Sequence, residues 1–281
     1  MSSNEDAGSS TAAGTYRSAD GLRVEVDGPV LRLTLDRPDK KNALSDPMVD
    51  VLIDSLVQAN NDDSIRSVLL RAEGEDFCVG ADIIARNRDP SVKRRTGSIQ
   101  RRLPGTAHRL IPLMTEVQIP IVGAVHGYAA GIGLHLALAC DFTFVAEDCT
   151  LWEPFSSRGF TPDSGGTWML PRLVGVARAR ELLMLGRRLD GRTAAEWGLV
   201  HRSVPADRVE VEAAQLAAEL ASGPTVMLGL TKWLVNTGLS GGLRESLTNE
   251  AFAMELSSRS VDFREGLRAF AERRSPDFGG M

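Results

Sequence analysis

The chain has 281 residues, 43% hydrophobic and 25% charged, which is enough apolar material for one large globular domain and too much for a disordered or fibrous chain. Lysine and arginine number 32 against 37 aspartates and glutamates, a net charge of −5, so a general nucleic-acid-binding surface is excluded and a polyanionic ligand needs a local basic patch. Cys78, Cys140 and Cys149 lack metal-ligand spacing and are expected to be reduced thiols of a cytoplasmic protein.

Residues 1–16 are small and polar, without the apolar run of a leader, and are expected to form a disordered tail. Strands are predicted at 22–26 and 30–35, joined as a hairpin by Asp27, Gly28 and Pro29. Ser45 is placed to cap a helix with Pro47 in its first turn and Val49, Leu52, Ile53 and Leu56 on one face, ending at 60–63. A buried strand is predicted at 67–71, followed by the loop GEDFCVGAD and an arginine-rich stretch over 86–102 with no strong periodicity. Residues 119–125 read as another strand, running into HGYAAGIGLHLALAC, where a glycine turn opens a short apolar helix before a strand at 142–145. The segment 119–140 is the most apolar of the chain, but His126, Gly127, Gly131, Gly133 and His135 interrupt it, so no membrane span is expected. Beyond Pro171 the chain turns helical. A boundary near 205 divides an α/β core, 17–205, from a helical segment, 206–281, of the kind that buries apolar stripes against another subunit.

Two glycine loops carry the chemistry, DFCVGAD at 76–82 and HGYAAGIGLH at 126–135, each following a strand and preceding a helical segment. A helix N-terminus leaves backbone amides unpaired and carries partial positive charge, so two such termini facing one point form a site for a developing oxyanion. Each loop alone reads as an ordinary tight turn. The combination of FCVGAD, PIVGAVHGYAAGIGLHLALACDF and DSGGTWMLPRLVG resembles the crotonase, or enoyl-CoA hydratase/isomerase, superfamily over about residues 21–279.

The resemblance implies a ββα spiral core with a C-terminal helical oligomerisation segment, an acyl-coenzyme A thioester as substrate, and a homo-trimer or hexamer. It places the oxyanion-hole amides on Ala81 and Ile132, where the family more often has a third glycine at the second position. It puts coenzyme A near Val79, Gly80, Ala81, Asp82, Ile83 and Gly131. The two catalytic glutamates of true hydratases correspond to His135 and Phe155, so water-delivering carboxylates are missing and simple hydration is not expected.

Asp163 stands instead where family isomerases and aryl-CoA dehalogenases carry an essential aspartate. The runs PDSGGTWMLPRLVG and SVDFREGLRAFAERRSPDFGG resemble the branch containing the epoxyphenylacetyl-CoA isomerase, in which that aspartate moves a proton. One base suffices for isomerisation, and an apolar surround from Phe155, Phe160 and Trp168 would suit it. The alternative role for Asp163 is an N-cap of the helix that follows. His108 matches the base of the dehalogenase branch and, if it meets Asp163, suggests a thioester hydrolase or dehalogenase in which Asp163 is the nucleophile and His108 the base that hydrolyses an acyl intermediate. His135 is expected to face the acyl pocket, as proton donor or wall, whereas Glu153 matches a noncatalytic position. Arg86, Arg88, Lys93, Arg94, Arg95, Arg101, Arg102 and Arg109 offer phosphate partners or a solvated basic face. A binding protein that has lost catalysis stands as a third reading, and an enoyl-CoA hydratase with altered catalytic residues as a further alternative. No metal or cofactor beyond the coenzyme A moiety is expected, because a proton shuttle needs none.

Overall fold

The computed structural model describes residues 15–82 and 95–281. Tyr16, at the end of the expected tail, is already docked, its hydroxyl donating to Asp62 Oδ2 at 3.1 Å; residues 1–14 lie outside the described residues. The hairpin forms as expected from β1 (Leu22–Asp27) and β2 (Val30–Leu35), antiparallel in the register Leu22 to Leu35. The Ser45 hydroxyl caps α1 (Asp46–Asn60) by accepting from the Met48 amide, and Val49, Leu52, Ile53 and Leu56 are all buried. Next come β3 (Ser67–Ala72), the short α2 (Ser98–Arg102), α3 (Ala107–Glu116) and β4 (Ile121–Val125).

A short strand the sequence did not reveal, β5 (Tyr128–Ala130), leads into α4 (Ile132–Ala139), followed by β6 (Phe142–Ala146) and β7 (Thr150–Trp152). The one-turn α5 (Phe155–Arg158), the long α6 (Gly166–Leu185), β8 (Arg188–Asp190), α7 (Gly191–Glu196) and β9 (Arg202–Val204) complete the α/β part. The main sheet has the order β1-β2-β3-β4-β6-β9 and is parallel beyond the hairpin; a second sheet has the order β5-β7-β8. Strands buried on both faces explain the continuous apolar runs of β3 and β4.

The C-terminal part is helical, with α8 (Val209–Ala221), α9 (Thr225–Gly238), α10 (Leu243–Ser257) and α11 (Val261–Glu272). The first of these covers the main sheet: Ala213 and Ala217 are fully buried, and the Ser67 hydroxyl donates to the Ala217 carbonyl at 2.8 Å. Large apolar side chains stay exposed on the later helices, among them Leu243, Phe252 and Phe270, the last 86% exposed. No helix among the described residues is long and apolar enough to cross a membrane. All three cysteines are free and buried; burial pushes the Cys78 and Cys149 thiols up to about 12, which keeps them protonated and unreactive.

Candidate functional site

The two glycine loops are neighbours because the first one pairs with β5. The Cys78 amide donates to the Tyr128 carbonyl and the Ala130 amide to the Cys78 carbonyl, both at 2.9 Å. Gly80, at φ +109, then turns its carbonyl away to accept from the Leu44 amide at 2.8 Å. A trans peptide holds its C=O and N–H on opposite sides, so the Ala81 N–H points away from Leu44. Gly131 follows the same logic at φ +54 and ψ −125. Its amide is held by the Trp152 carbonyl at 3.0 Å and its carbonyl accepts from the His135 amide, so the Ile132 N–H projects out of the N-terminus of α4. Among the described residues, no protein acceptor engages either the Ala81 or the Ile132 amide.

Close packing holds these two peptides together. A Cβ at Gly80 would lie 3.2 Å from the Ala130 carbonyl, and one at Gly133 would lie 2.3 Å from the Cys78 carbonyl and 2.8 Å from its sulfur. The first turn of α4 therefore rests directly on the first loop, where only glycine fits. Gly133→Ala is expected to cost about 1–3 kcal/mol in denaturant unfolding and to lower turnover further by separating the amides; a variant as stable and active as the parent would remove this packing argument.

Asp163 sits in a turn laid against that same helical start. Ser164, at φ +56, and Gly165, at φ +93, take left-handed backbone before α6, and the Gly166 amide closes back on the Asp163 carbonyl at 3.5 Å. Gly165 is the N-cap of α6, with no side-chain cap, so Asp163 is not the capping residue; its carboxylate accepts from the Ser164 hydroxyl at 2.9 Å and remains partly exposed. Gly165 packs on Ile111 of α3, and Gly166 packs on His135. The expected apolar surround is present only in part. Phe155 is buried, 3.7 Å from where a Gly131 Cβ would stand, but Phe160 and Trp168 are 44% and 45% exposed, and Arg172 lies over the Trp168 ring.

His135 and Glu153 are both 0% exposed, joined by a 2.8 Å hydrogen bond between Nε2 and Oε1, with the imidazole stacked against Phe155 at 6.2 Å between ring centres. The partner of His135 escaped sequence reasoning: Glu153 lies 18 residues away, and only the pairing of β7 with β5, the strand that leads into α4, reveals it. His108 is on the face of α3 that carries Ile111, and its Nε2 is buried without a partner, but neither a hydrogen bond nor an ion pair joins it to Asp163.

Of the coenzyme-binding candidates, Val79 donates its amide to the Lys41 carbonyl at 3.2 Å, and Asp82 is held by Arg37 at 2.8 Å and through its amide by the Leu44 carbonyl. Ile83, together with Arg86, Arg88, Lys93 and Arg94, lies outside the described residues. Arg95, Arg101, Arg102 and Arg109 are exposed.

The chain matches known proteins along nearly its whole length. The family described as enoyl-CoA hydratase/isomerase matches residues 25–281, and the chain belongs to that family. It is 39% identical over 264 residues to the 1,2-epoxyphenylacetyl-CoA isomerase of Escherichia coli, covering 91% of this chain and 97% of that one. The trans-2-decenoyl-[acyl-carrier-protein] isomerase of Streptococcus mutans is 27% identical, covering 92% and 98%. The crystal structure of an enoyl-CoA hydratase from Bacillus anthracis superposes with a TM-score of 0.86 at 32% identity, covering 93% of this chain and all of that one. The fold is thus the crotonase fold, and the chain is an enzyme of the isomerase or lyase class.

Proposed function

We propose that this enzyme isomerises an unsaturated or aromatic-derived acyl-CoA by moving one proton with Asp163. The Ala81 and Ile132 amides hold the thioester oxygen, which makes the adjacent carbon acidic. The Asp163 carboxylate takes the proton, the electron pair is held as an enolate on that oxygen, and the partly exposed Asp163 carboxyl, in exchange with solvent, returns a proton to another carbon along the conjugated system. Composition is unchanged, and no water is consumed. The absence of carboxylates at His135 and Phe155 argues against hydration as the main reaction. One observation carries the reading: two unpaired amides face outward from adjoining loops while the turn carrying Asp163 rests on the helix that supplies one of them.

Exchange of substrate protons in heavy water tests it, with a panel of straight-chain unsaturated and aromatic coenzyme A thioesters. Deuterium should enter the carbon that receives the proton in at least one panel member, with double-bond migration; tight binding of every thioester without exchange would identify a binder instead. The partnerless Nε2 of His108 favours a second reading, attack by Asp163 with His108 activating water. Turnover in heavy-oxygen water would then leave label in the Asp163 carboxylate, whereas the proton shuttle leaves it unlabelled.

Three further parts of the reading follow. The exposed apolar faces of α9 to α11 suit packing against other copies in a trimer or a dimer of trimers. The free, buried cysteines suit the reducing cytoplasm. The exposed Arg95, Arg101, Arg102 and Arg109 are read as partners for coenzyme A phosphates, and the proposed chemistry calls for no group beyond that coenzyme.

A further inference from the structure

We infer that His135 and Glu153 form a positioning pair that sets the distance between the oxyanion amides and Asp163. The inference rests on the proposed proton shuttle and adds to it a cause for the site's geometry. Three segments meet at this pair. His135 belongs to the first turn of α4, three residues after the Ile132 amide, and helical side chains lean toward the N-terminus, so the imidazole sits under that amide. Glu153 directly follows Trp152, whose carbonyl fixes the Gly131 amide. Gly166 lies on the hydrogen bond itself: a Cβ there would fall 2.3 Å from His135 Nε2 and 3.3 Å from Glu153 Oε1. Its own amide turns back to Asp163. A shift of the pair therefore moves the base turn relative to the amide on α4.

The same pair is poorly suited to a purely stabilising role. His135 Nδ1 and Glu153 Oε2 are buried without hydrogen-bond partners, although the other half of each group is paired. Buried polar atoms left unpaired oppose folding, and apolar side chains of similar volume commonly replace such pairs at no loss of stability. The pair does not need to touch substrate: both side chains are shut away behind Phe155 and Gly166.

The test is the double variant His135→Leu/Glu153→Met, with Glu153→Met and Glu153→Gln beside it. The double variant should unfold at the same denaturant concentration as the parent or a higher one and bind coenzyme A thioesters with unchanged Kd. Its kcat should fall by about 10²-fold, the scale of an ångström of misplacement. Glu153→Gln, which keeps an acceptor for His135, should recover kcat relative to Glu153→Met, and this comparison decides the matter should the double variant not fold. An unchanged kcat, or a loss that tracks lost stability or lost affinity, overturns the inference. A parent enzyme that exchanges no substrate proton at all would instead overturn the proposed shuttle on which it stands.

Discussion

Replacing Asp163 by asparagine should abolish proton transfer while sparing recognition. Asparagine keeps the size of the side chain and can still accept the Ser164 hydroxyl, so the turn before α6 has no reason to rearrange. What is lost is the ability to accept a proton, for which positioned acid–base groups contribute about 10²–10⁴-fold. Since one carboxylate both takes and returns the proton, kcat should fall at the upper end of that range. The Kd for the thioester should be unchanged, because the amides of Ala81 and Ile132 are untouched. Steady-state kinetics with direct titration of ligand checks this. A variant with near-parental turnover of its true substrate would assign the proton to another group.

Ile132→Pro removes a single hydrogen-bond donor from the oxyanion site with little harm to the helix. Ile132 is the first residue of α4, where proline's fixed φ is tolerated and its missing N–H serves no intrahelical bond. Loss of one such donor elsewhere lowers kcat about 10²–10³-fold, roughly 2.7–4 kcal/mol of transition-state stabilisation. The corresponding change at this position should fall in that range and should appear in kcat more than in KM, because the oxygen carries full negative charge only in the transition state and the enolate. Because Ile132 is also buried in the core, the loss of kcat must exceed that of Ile132→Ala, which truncates the same side chain and keeps the N–H. Unimpaired turnover would mean that the Ile132 amide points at nothing that reacts.

How much of this was legible in the sequence depended on the range of the interactions involved. The hairpin, the Ser45 cap, the edges of β2 and the start of β3 follow from local rules of alternation, turn residues and capping, and the structure has them where those rules put them. Strand β5 was missed because Tyr-Ala-Ala lacks a β-branched run; its pairing with β7 makes it a strand. Phe160 and Trp168 were expected to give Asp163 an apolar surround, yet the turn at 159–165 leaves Phe160 at the surface and the first turn of α6 points Trp168 toward Arg172.

The candidate site divides along the same line. Glycines before Ala81 and Ile132 announced backbone donors, since that task depends on φ and close approach more than on side-chain identity. The role of Glu153 was hidden, because nothing local distinguishes a buried glutamate from a solvated one until the imidazole 18 residues earlier is seen against it. Asp163 lay between these cases: the motif marked it, and the competing role as helix cap was removed only when Gly165 was found at that position.

The central claim is that the Ala81 and Ile132 amides share one oxygen. The most direct test is a crystal structure of the enzyme with a slowly reacting acyl-CoA. The thioester oxygen should lie about 2.7–3.1 Å from both nitrogens, with the Asp163 carboxylate over the adjacent carbon. An oxygen bound away from these amides, with the thioester fully occupied, would contradict the account.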